Sequence, residues 1–255
     1  MKIATWNVNS LRVRLPHVLH WLDANHPDVL ALQETKTEDR NFPVAEFETA
    51  GYLSAFCGQP AYNGVALLSR RRMDVFATAL PDFHDAQKRV LGATIGHLAV
   101  LDLYVPNGQT VDSDKYRYKL DWLAQLNLWI TTLLKDYPQL VILGDFNIAP
   151  EDRDVYDPQV WAGQVLVSEP ERAAFHSLLR TGLKDSFRLY ESAAGHYSWW
   201  DYRAAAFRRN QGLRIDHILL SLALAQHSHA TVIDREPRGW ERPSDHTPVV
   251  SEIDI

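Results

Sequence analysis

The sequence predicts an α/β fold in which two mixed β-sheets pack together and helices flank their outer faces. Three observations predict it. Apolar runs of strand length recur along the chain, and Leu140-Val141-Ile142-Leu143 reads as a fully buried strand. Helical patterns fall between some of these runs, without the regular alternation of a doubly wound parallel sheet. Residues 90–95 and 98–104 read as a hairpin turned near Gly96-His97, so antiparallel pairs accompany the crossovers.

The elements follow in order. The first strand is Ile3-Ala4-Thr5-Trp6. Segment 14–25 has helical spacing, with Leu15, Val18, Leu19 and Leu22 on one face, and Asn25-His26-Pro27 stops it. Val29-Leu30-Ala31-Leu32 is a strand ending at Gln33-Glu34. Residues 35–50 are polar and irregular, with helical character after Pro43. Gly64-Val65-Ala66-Leu67-Leu68-Ser69 is a strand, and the second hairpin arm ends at Tyr104-Val105-Pro106-Asn107. The longest helix spans about 115–136, with Leu120, Leu123, Leu126, Ile130, Leu133 and Leu134 as its buried stripe. Residues 150–170 form a long polar connection, a kind of loop that is usually functional or mobile. A helix at about 171–181 ends at Gly182, a suitable position after a C-cap. Strands are expected at Gly212–Leu220 and at 248–254. No linker, low-complexity tract or repeat interrupts residues 1–255, so a single domain is expected.

The bulk properties narrow the function classes. A hydrophobic content of 46% over 255 residues supports a large core. One cysteine, Cys57, excludes a disulfide framework and reads as a buried small hydrophobe in a reducing compartment. The first residues lack the apolar core of a signal peptide, and no run is long enough to span a bilayer. A soluble cytoplasmic monomer without a membrane partner is expected. The net charge of −6 argues against a protein that coats nucleic acid nonspecifically. It leaves DNA open as a substrate, because one basic face is enough. Cations cluster at Arg70-Arg71-Arg72, Lys88-Arg89, Lys115-Arg117-Lys119 and Arg235-Arg238-Arg242, each read as a solvated surface. Arg203 and Arg208-Arg209 sit beside Trp199-Trp200 and Tyr202, the mixture of aromatics and arginines used for backbone pairing and base stacking.

The chemistry lies where the dry runs end. Leu140–Leu143 leads into Gly144-Asp145-Phe146-Asn147, whose Asp and Asn project to one side if the chain stays extended. The first strand leads into Asn7 and Asn9, the second into Glu34, and Ser244-Asp245-His246 precedes Val249-Val250. Hard cations such as Mg²⁺ take one or two carboxylates, keep several waters and accept phosphate oxygens. Glu34, Asp145 and Asp245 suffice for that and are too few for a dedicated cage. No paired cysteines and no His-Glu-x-x-His spacing favour zinc. His246 is the best acid–base or transition-state candidate, with Asp216 as the partner that fixes its tautomer. Asn7, Asn9, Asn107 and Asn147 are neutral groups suited to phosphate oxygens, and Tyr104 adds a hydroxyl at a strand end. No Gly-x-Ser-x-Gly elbow, phosphate-binding Gly-x-x-x-x-Gly-Lys loop or dinucleotide fingerprint is present. The pattern points to metal-assisted phosphodiester hydrolysis.

Eight segments, in order along almost the whole chain, carry a family resemblance. They are Trp6-Asn7-Val8-Asn9-Ser10-Leu11-Arg12, Leu32-Gln33-Glu34-Thr35-Lys36, Tyr62-Asn63-Gly64-Val65-Ala66, Tyr104-Val105-Pro106-Asn107, Gly144–Pro150, Trp199-Trp200-Asp201-Tyr202-Arg203, Gly212-Leu213-Arg214-Ile215-Asp216 and Ser244-Asp245-His246-Thr247-Pro248. The chain resembles the exonuclease III type of apurinic/apyrimidinic endonuclease, within the endonuclease/exonuclease/phosphatase superfamily. The resemblance implies a four-layer α/β sandwich and an Mg²⁺- or Mn²⁺-dependent cut of double-stranded DNA at abasic sites or 3′ ends. It implies Glu34 as principal metal ligand, with Asn9, Asp145, Asn147, Asp245 and His246 around the metal. It implies that Asp145 orients or deprotonates water, and that Asn7, Asn107, Asn147, Tyr104 and His246 hold the phosphate. Asp216 orients His246. Arg89 and Arg203 are implied on the DNA, and Trp199, Leu213 and Ile215 match an apolar pocket for a flipped, base-less sugar. Asn9 stands where some relatives carry an acid, which argues against a tightly held second metal. Leu213 stands where some carry a larger aromatic, which loosens the pocket floor. Two other readings compete: a cousin that hydrolyses lipid or inositol head groups, and a catalytically silent DNA-binding module. The Trp-Trp-Asp-Tyr-Arg segment opposes the first, and the intact acids oppose the second.

Overall fold

A computed structural model describes residues 1–255. The order is β1 (Lys2–Asn7), α1 (Leu11–Asn25), β2 (Val29–Gln33), α2 (Val44–Thr49), β3 (Leu53–Cys57), β4 (Val65–Ser69), β5 (Asp74–Ala77), β6 (Val90–Ile95) and β7 (Leu98–Tyr104). Then come α3 (Asp114–Asp136), β8 (Leu140–Asp145), α4 (Pro158–Trp161), α5 (Glu169–Arg180), β9 (Leu183–Asp185), β10 (Asp216–Ser221), α6 (Leu222–Ala225), β11 (Ser228–Ile233) and β12 (Val249–Ile253).

The strands form two six-stranded sheets, ordered β11-β12-β1-β2-β4-β3 and β5-β6-β7-β8-β10-β9. Each is mixed as expected, with one parallel pair, β1 with β2 and β7 with β8, among antiparallel neighbours. Side chains alternate along each strand. Ile3, Val29, Val65 and Leu67 of the first sheet therefore meet Leu91, Val100, Val141 and Leu143 of the second in one dry layer. The opposite face of the first sheet packs Ala4, Trp6 and Leu30 against Val18, Trp21 and Leu22 of α1. The outer face of the second packs Leu101 and Ile142 against Trp122, Leu126 and Ile130 of α3 and Phe175 of α5. These are the four layers of the sandwich. Gly144 lets β8 approach β7: its φ is +140°, and a Cβ there would lie 1.9 Å from the Leu103 carbonyl oxygen. Cys57 is buried and free, as read from the sequence.

Several expectations need correction. The strand expected from Gly212 begins only at Asp216, because Leu213 leaves the sheet to bridge Val155 and Trp199. Strands β3, β5, β9 and β11 were not expected, and neither were the short helices α4 and α6. The connection 150–170 is not wholly polar in behaviour: Val155, Leu166 and Val167 are buried in it. Lys119, placed with solvated surface cations, is fully buried and pairs with Glu171.

Candidate active site

Strand direction alone brings the polar strand ends together. Parallel β1 and β2 end side by side, with Asn7 opposite Gln33. Parallel β7 and β8 likewise end with Tyr104 opposite Asp145. Antiparallel β10 starts where β8 ends, Asp216 opposite Asp145. Antiparallel β12 starts where β1 ends, Val249 opposite Thr5, so the preceding Asp245 and His246 reach the same rim.

The loops are held there by their own backbones. The amides of Ser10, just before α1, and of Leu11, its first residue, donate to the carbonyls of Glu34 and Thr35 at 2.8 and 2.9 Å. Asn9, Glu34 and Asn147 all adopt positive φ, 43°, 51° and 50°. For Glu34 this is uncommon, and such strain costs about 1–3 kcal/mol per residue and gathers at functional sites. The expected extended path from Asp145 to Asn147 is absent. The chain turns, and the Asn147 amide donates to Asp145 Oδ1 at 2.8 Å.

The side chains converge. Asn7 Nδ2 lies 2.9 Å from Glu34 Oε1 and 2.9 Å from Asp145 Oδ2, bridging two acids from different sheets. Both acids thus share the Asn7 side-chain amide. Asn147 Nδ2 similarly donates to the Val105 carbonyl at 3.0 Å and to Asp145 Oδ2 at 3.3 Å. Asn107 Nδ2 donates to Asn147 Oδ1 at 3.0 Å. Asn9 Nδ2 donates to Asp245 Oδ1 at 2.9 Å, and Trp199 Nε1 donates to Asp245 Oδ2 at 3.0 Å. Ligand atoms of Glu34, Asp145 and His246 all lie within 4.8 Å of one another.

His246 Nδ1 lies 2.9 Å from Asp216 Oδ2, and its Nε2 faces Asp145 Oδ2 at 3.7 Å. Burial opposes charge on this ring, but Asp216 and Asp145 outweigh it and lift it to about 10. Burial drives the Asp145 carboxyl up to about 7, with His246 pulling it down and Asp216 adding to the rise. Burial would also raise Asp245, yet His246, Trp199 and Asn9 hold it below the usual carboxylate range. Burial, Glu34 and Asp145 keep the Tyr104 hydroxyl protonated well above its ordinary range. Arg89 stacks on the Tyr104 ring at 4.8 Å and donates to its carbonyl.

The donor set fits a hard cation. Lys36 Nζ bridges Glu34 Oε2 at 2.9 Å and Asn9 Oδ1 at 2.5 Å, so a positive group already joins the two oxygens expected to bind metal. Two grooves flank the acids. One, about 580 Å³, is lined by Arg12 and Lys36, and the other, about 400 Å³, by Arg89, Asn107 and Lys115. Arg203 is exposed and its side chain bonds to none of the cluster. Leu213 and Ile215 adjoin the site but are closed off, at 0% and 1% exposure.

Sequence reasoning missed several supports. Ser198 Oγ donates to Asp216 Oδ2 at 2.6 Å and accepts from the Ile215 and Asp216 amides. Ser244 Oγ donates to the Asn7 carbonyl at 2.7 Å and accepts from the His246 amide. Lys119 Nζ donates to the carbonyls of Asn147 at 2.7 Å and Asn107 at 3.2 Å. Ser244 and Lys36 stood inside the quoted motifs, whereas Ser198 had no signal beyond its position before Trp199.

A two-sheet sandwich with clustered acids, amides and a carboxylate-paired imidazole at its rim defines a hydrolase of the nuclease and phosphatase class. The chain belongs to the Endonuclease/Exonuclease/phosphatase family, whose model matches residues 4–246. It is 37% identical to exodeoxyribonuclease III of Haemophilus influenzae, covering 99% of this chain and 100% of the relative. Among solved structures it resembles 3′ phosphatase NExo from Neisseria bound to product DNA hairpin, with TM-score 0.97, 46% identity and full coverage of both chains. An AP endonuclease from Archaeoglobus fulgidus matches with TM-score 0.94 and 38% identity, again over both whole chains. No helix is long and apolar enough to cross a membrane.

Proposed function

We propose that the protein is a DNA-repair phosphodiesterase of the exonuclease III type, hydrolysing the backbone of double-stranded DNA at abasic sites or at 3′ ends. The observation that carries this reading is the Asn7 bridge between Glu34 and Asp145, which puts acids of both sheets at one point on the rim. The carboxylate of Glu34 would hold Mg²⁺ or Mn²⁺, with Asn9 and Asp245 alongside. Bound there, the metal supplies Lewis-acid charge for the phosphate and the leaving 3′ oxygen.

The chain's own residues supply the rest. Asp145, with a carboxyl poised near neutrality, accepts a proton from the attacking water. His246 carries its Nδ1 proton toward Asp216 and presents a charged Nε2–H to a phosphate oxygen, where negative charge grows. Tyr104 and Asn107 add neutral donors. Asn7 and Asn147 keep Asp145 and Glu34 in place. A donor aimed at developing charge is worth about 3–4 kcal/mol. Arg12 and Lys36 on one side and Arg89 and Lys115 on the other suit the DNA backbone as it leaves the site. Every one of these residues comes from a single chain, so a monomer suffices.

The test uses one labelled duplex with an internal abasic analogue and another with a 3′-phosphate, each with Mg²⁺ and with chelator. Metal-dependent hydrolysis of at least one supports the reading. Binding to both without hydrolysis would return the silent-module alternative.

A further inference from the structure

Between the two sheets the packing is dry, and apolar contact carries little directional information. One pair of side chains breaks the pattern. Asp102 lies on the inner face of β7 between Val100 and Tyr104, and its neighbours across the ladder are Leu91 and Leu143. Gln33 enters the same layer from the end of β2, beyond Ala31. Both residues are fully buried. Gln33 Nε2 donates to Asp102 Oδ1 at 2.7 Å and to Thr5 Oγ1 of β1 at 2.9 Å. A polar bridge thus crosses from the first sheet to the second.

Two buried oxygens of this bridge have no partner, Asp102 Oδ2 and Gln33 Oε1. The groups that pull the Asp102 carboxyl down are Gln33 and the amides of Ala66 and Leu103, none of them a cation. Burial outweighs them and drives it well above the usual carboxylate range. An ionised carboxylate in so dry a layer, with no cation beside it, is costly, so the acid keeps its proton. The donor that Gln33 Oε1 lacks is the one that a protonated Asp102 has to give.

The bridge lies directly beneath the acids. Asp102 stands one pleat repeat before Tyr104, and Thr5 one pleat repeat before Asn7, each pair on one face of its strand. Asn7 makes the upper crossing, to Asp145 at 2.9 Å, and Gln33 makes the lower one. A single crossing is a pivot, whereas two fix how the sheets meet. The Gln33 carbonyl also accepts from the Val8 amide at 3.0 Å, just where Glu34 takes its positive φ. Resting on the phosphodiesterase reading, we propose that Asp102 is a positioning residue: it clamps Gln33 across the inter-sheet layer and thereby sets Glu34 against Asp145 and Tyr104 for metal and phosphate. A buried polar network whose members are all satisfied rigidifies the elements it joins.

The experiment measures Mn²⁺ affinity by calorimetry, kcat on the 3′-phosphate duplex and the urea unfolding midpoint, for the wild type and three variants. Asp102→Asn keeps the acceptor and replaces the O–H by an N–H. Asp102→Ala strips the Gln33 amide of its acceptor on β7. Gln33→Leu combined with Asp102→Ala exchanges the pair for apolar side chains of similar total volume, which restores stability without the clamp. Asp102→Ala should weaken Mn²⁺ binding and lower kcat, each about tenfold or more, with Asp102→Asn within about twofold of the wild type. The double variant should recover the urea midpoint and keep both losses, which a merely structural role would not leave behind. Should Asp102→Ala not fold, Asp102→Asn and the double variant make the same comparison. Wild-type Mn²⁺ affinity and kcat in the double variant, or losses in Asp102→Asn as large as in the double variant, overturn the clamp and leave the phosphodiesterase reading standing. A wild type that binds Mn²⁺ yet hydrolyses neither the 3′-phosphate nor the abasic duplex overturns that reading, and the Mn²⁺ affinities then decide the clamp by themselves.

Discussion

His246 and Asp216 form a buried pair, Nδ1 to Oδ2 2.9 Å, and the second shared contact of Asp216 is the Ser198 hydroxyl at 2.6 Å. Asp216 thus has one orientation, which directs the opposite ring nitrogen of His246 at Asp145. Asp216→Asn should lower kcat about 10²–10⁴-fold, the usual worth of a positioned acid–base group, with a much smaller change in KM. His246→Ala and Asp145→Ala should abolish turnover while circular dichroism shows an intact fold. Steady-state kinetics on the 3′-phosphate duplex check all three; a fully active His246→Ala enzyme would remove the assignment.

Glu34 joins the two sheets through Asn7 and faces the Lys36 ammonium. Glu34→Gln keeps the shape and removes the charge. The Mg²⁺ concentration giving half-maximal activity should rise about tenfold or more, as expected when a hard cation loses a carboxylate. An unchanged metal titration refutes the ligand role.

Lys119 and Glu171 are both fully buried, and Lys119 ties the Asn107 and Asn147 carbonyls to α5. Removing one partner strands a charge in the core. Lys119→Met should cost about 3–5 kcal/mol of unfolding free energy in urea. Adding Glu171→Gln should recover about 1–3 kcal/mol of that loss, because the stranded charge goes. Additive losses in the two variants would show that the pair is not coupled.

His217 should make stability fall on mild acidification. Its Nε2 faces the Ile148 carbonyl at 2.9 Å, and its Nδ1 faces the Arg214 guanidinium, a group that can only donate. The ring is therefore held neutral with its proton on Nε2. Burial and then Arg214 lower it to about 4. The unfolded chain binds a proton near 6.5 and the folded chain does not until about 4. Stability from this group is complete above pH 6.5 and declines from there down to pH 4, by about 3 kcal/mol in all. Urea unfolding of the wild type and His217→Gln across this window should give curves that converge as pH falls. Parallel curves would contradict the assignment.

Most of the site was legible because dry strands ending in acids and amides are conspicuous, and adjacent ends follow from sheet topology. The four strands that escaped notice, β3, β5, β9 and β11, are the four sheet edges. Each carries residues open to solvent, unlike the fully buried central strands, so it lacks the apolar run that marks a central strand. Lys119 escaped because charge suggests solvent, although it lies three residues after Tyr116 and four before Leu123 on the buried stripe of α3. Leu166, packed with Leu213 and Ile215, sits at φ +76°, a left-handed turn that no local propensity of leucine announces.

The most direct test of Glu34 as metal ligand is anomalous X-ray diffraction from crystals of the protein grown with Mn²⁺. One strong peak is expected in contact with a Glu34 carboxylate oxygen, at about 2–2.5 Å, on the side shared with Asn9 and Asp245. A manganese peak elsewhere on the chain, with none beside Glu34, would contradict it.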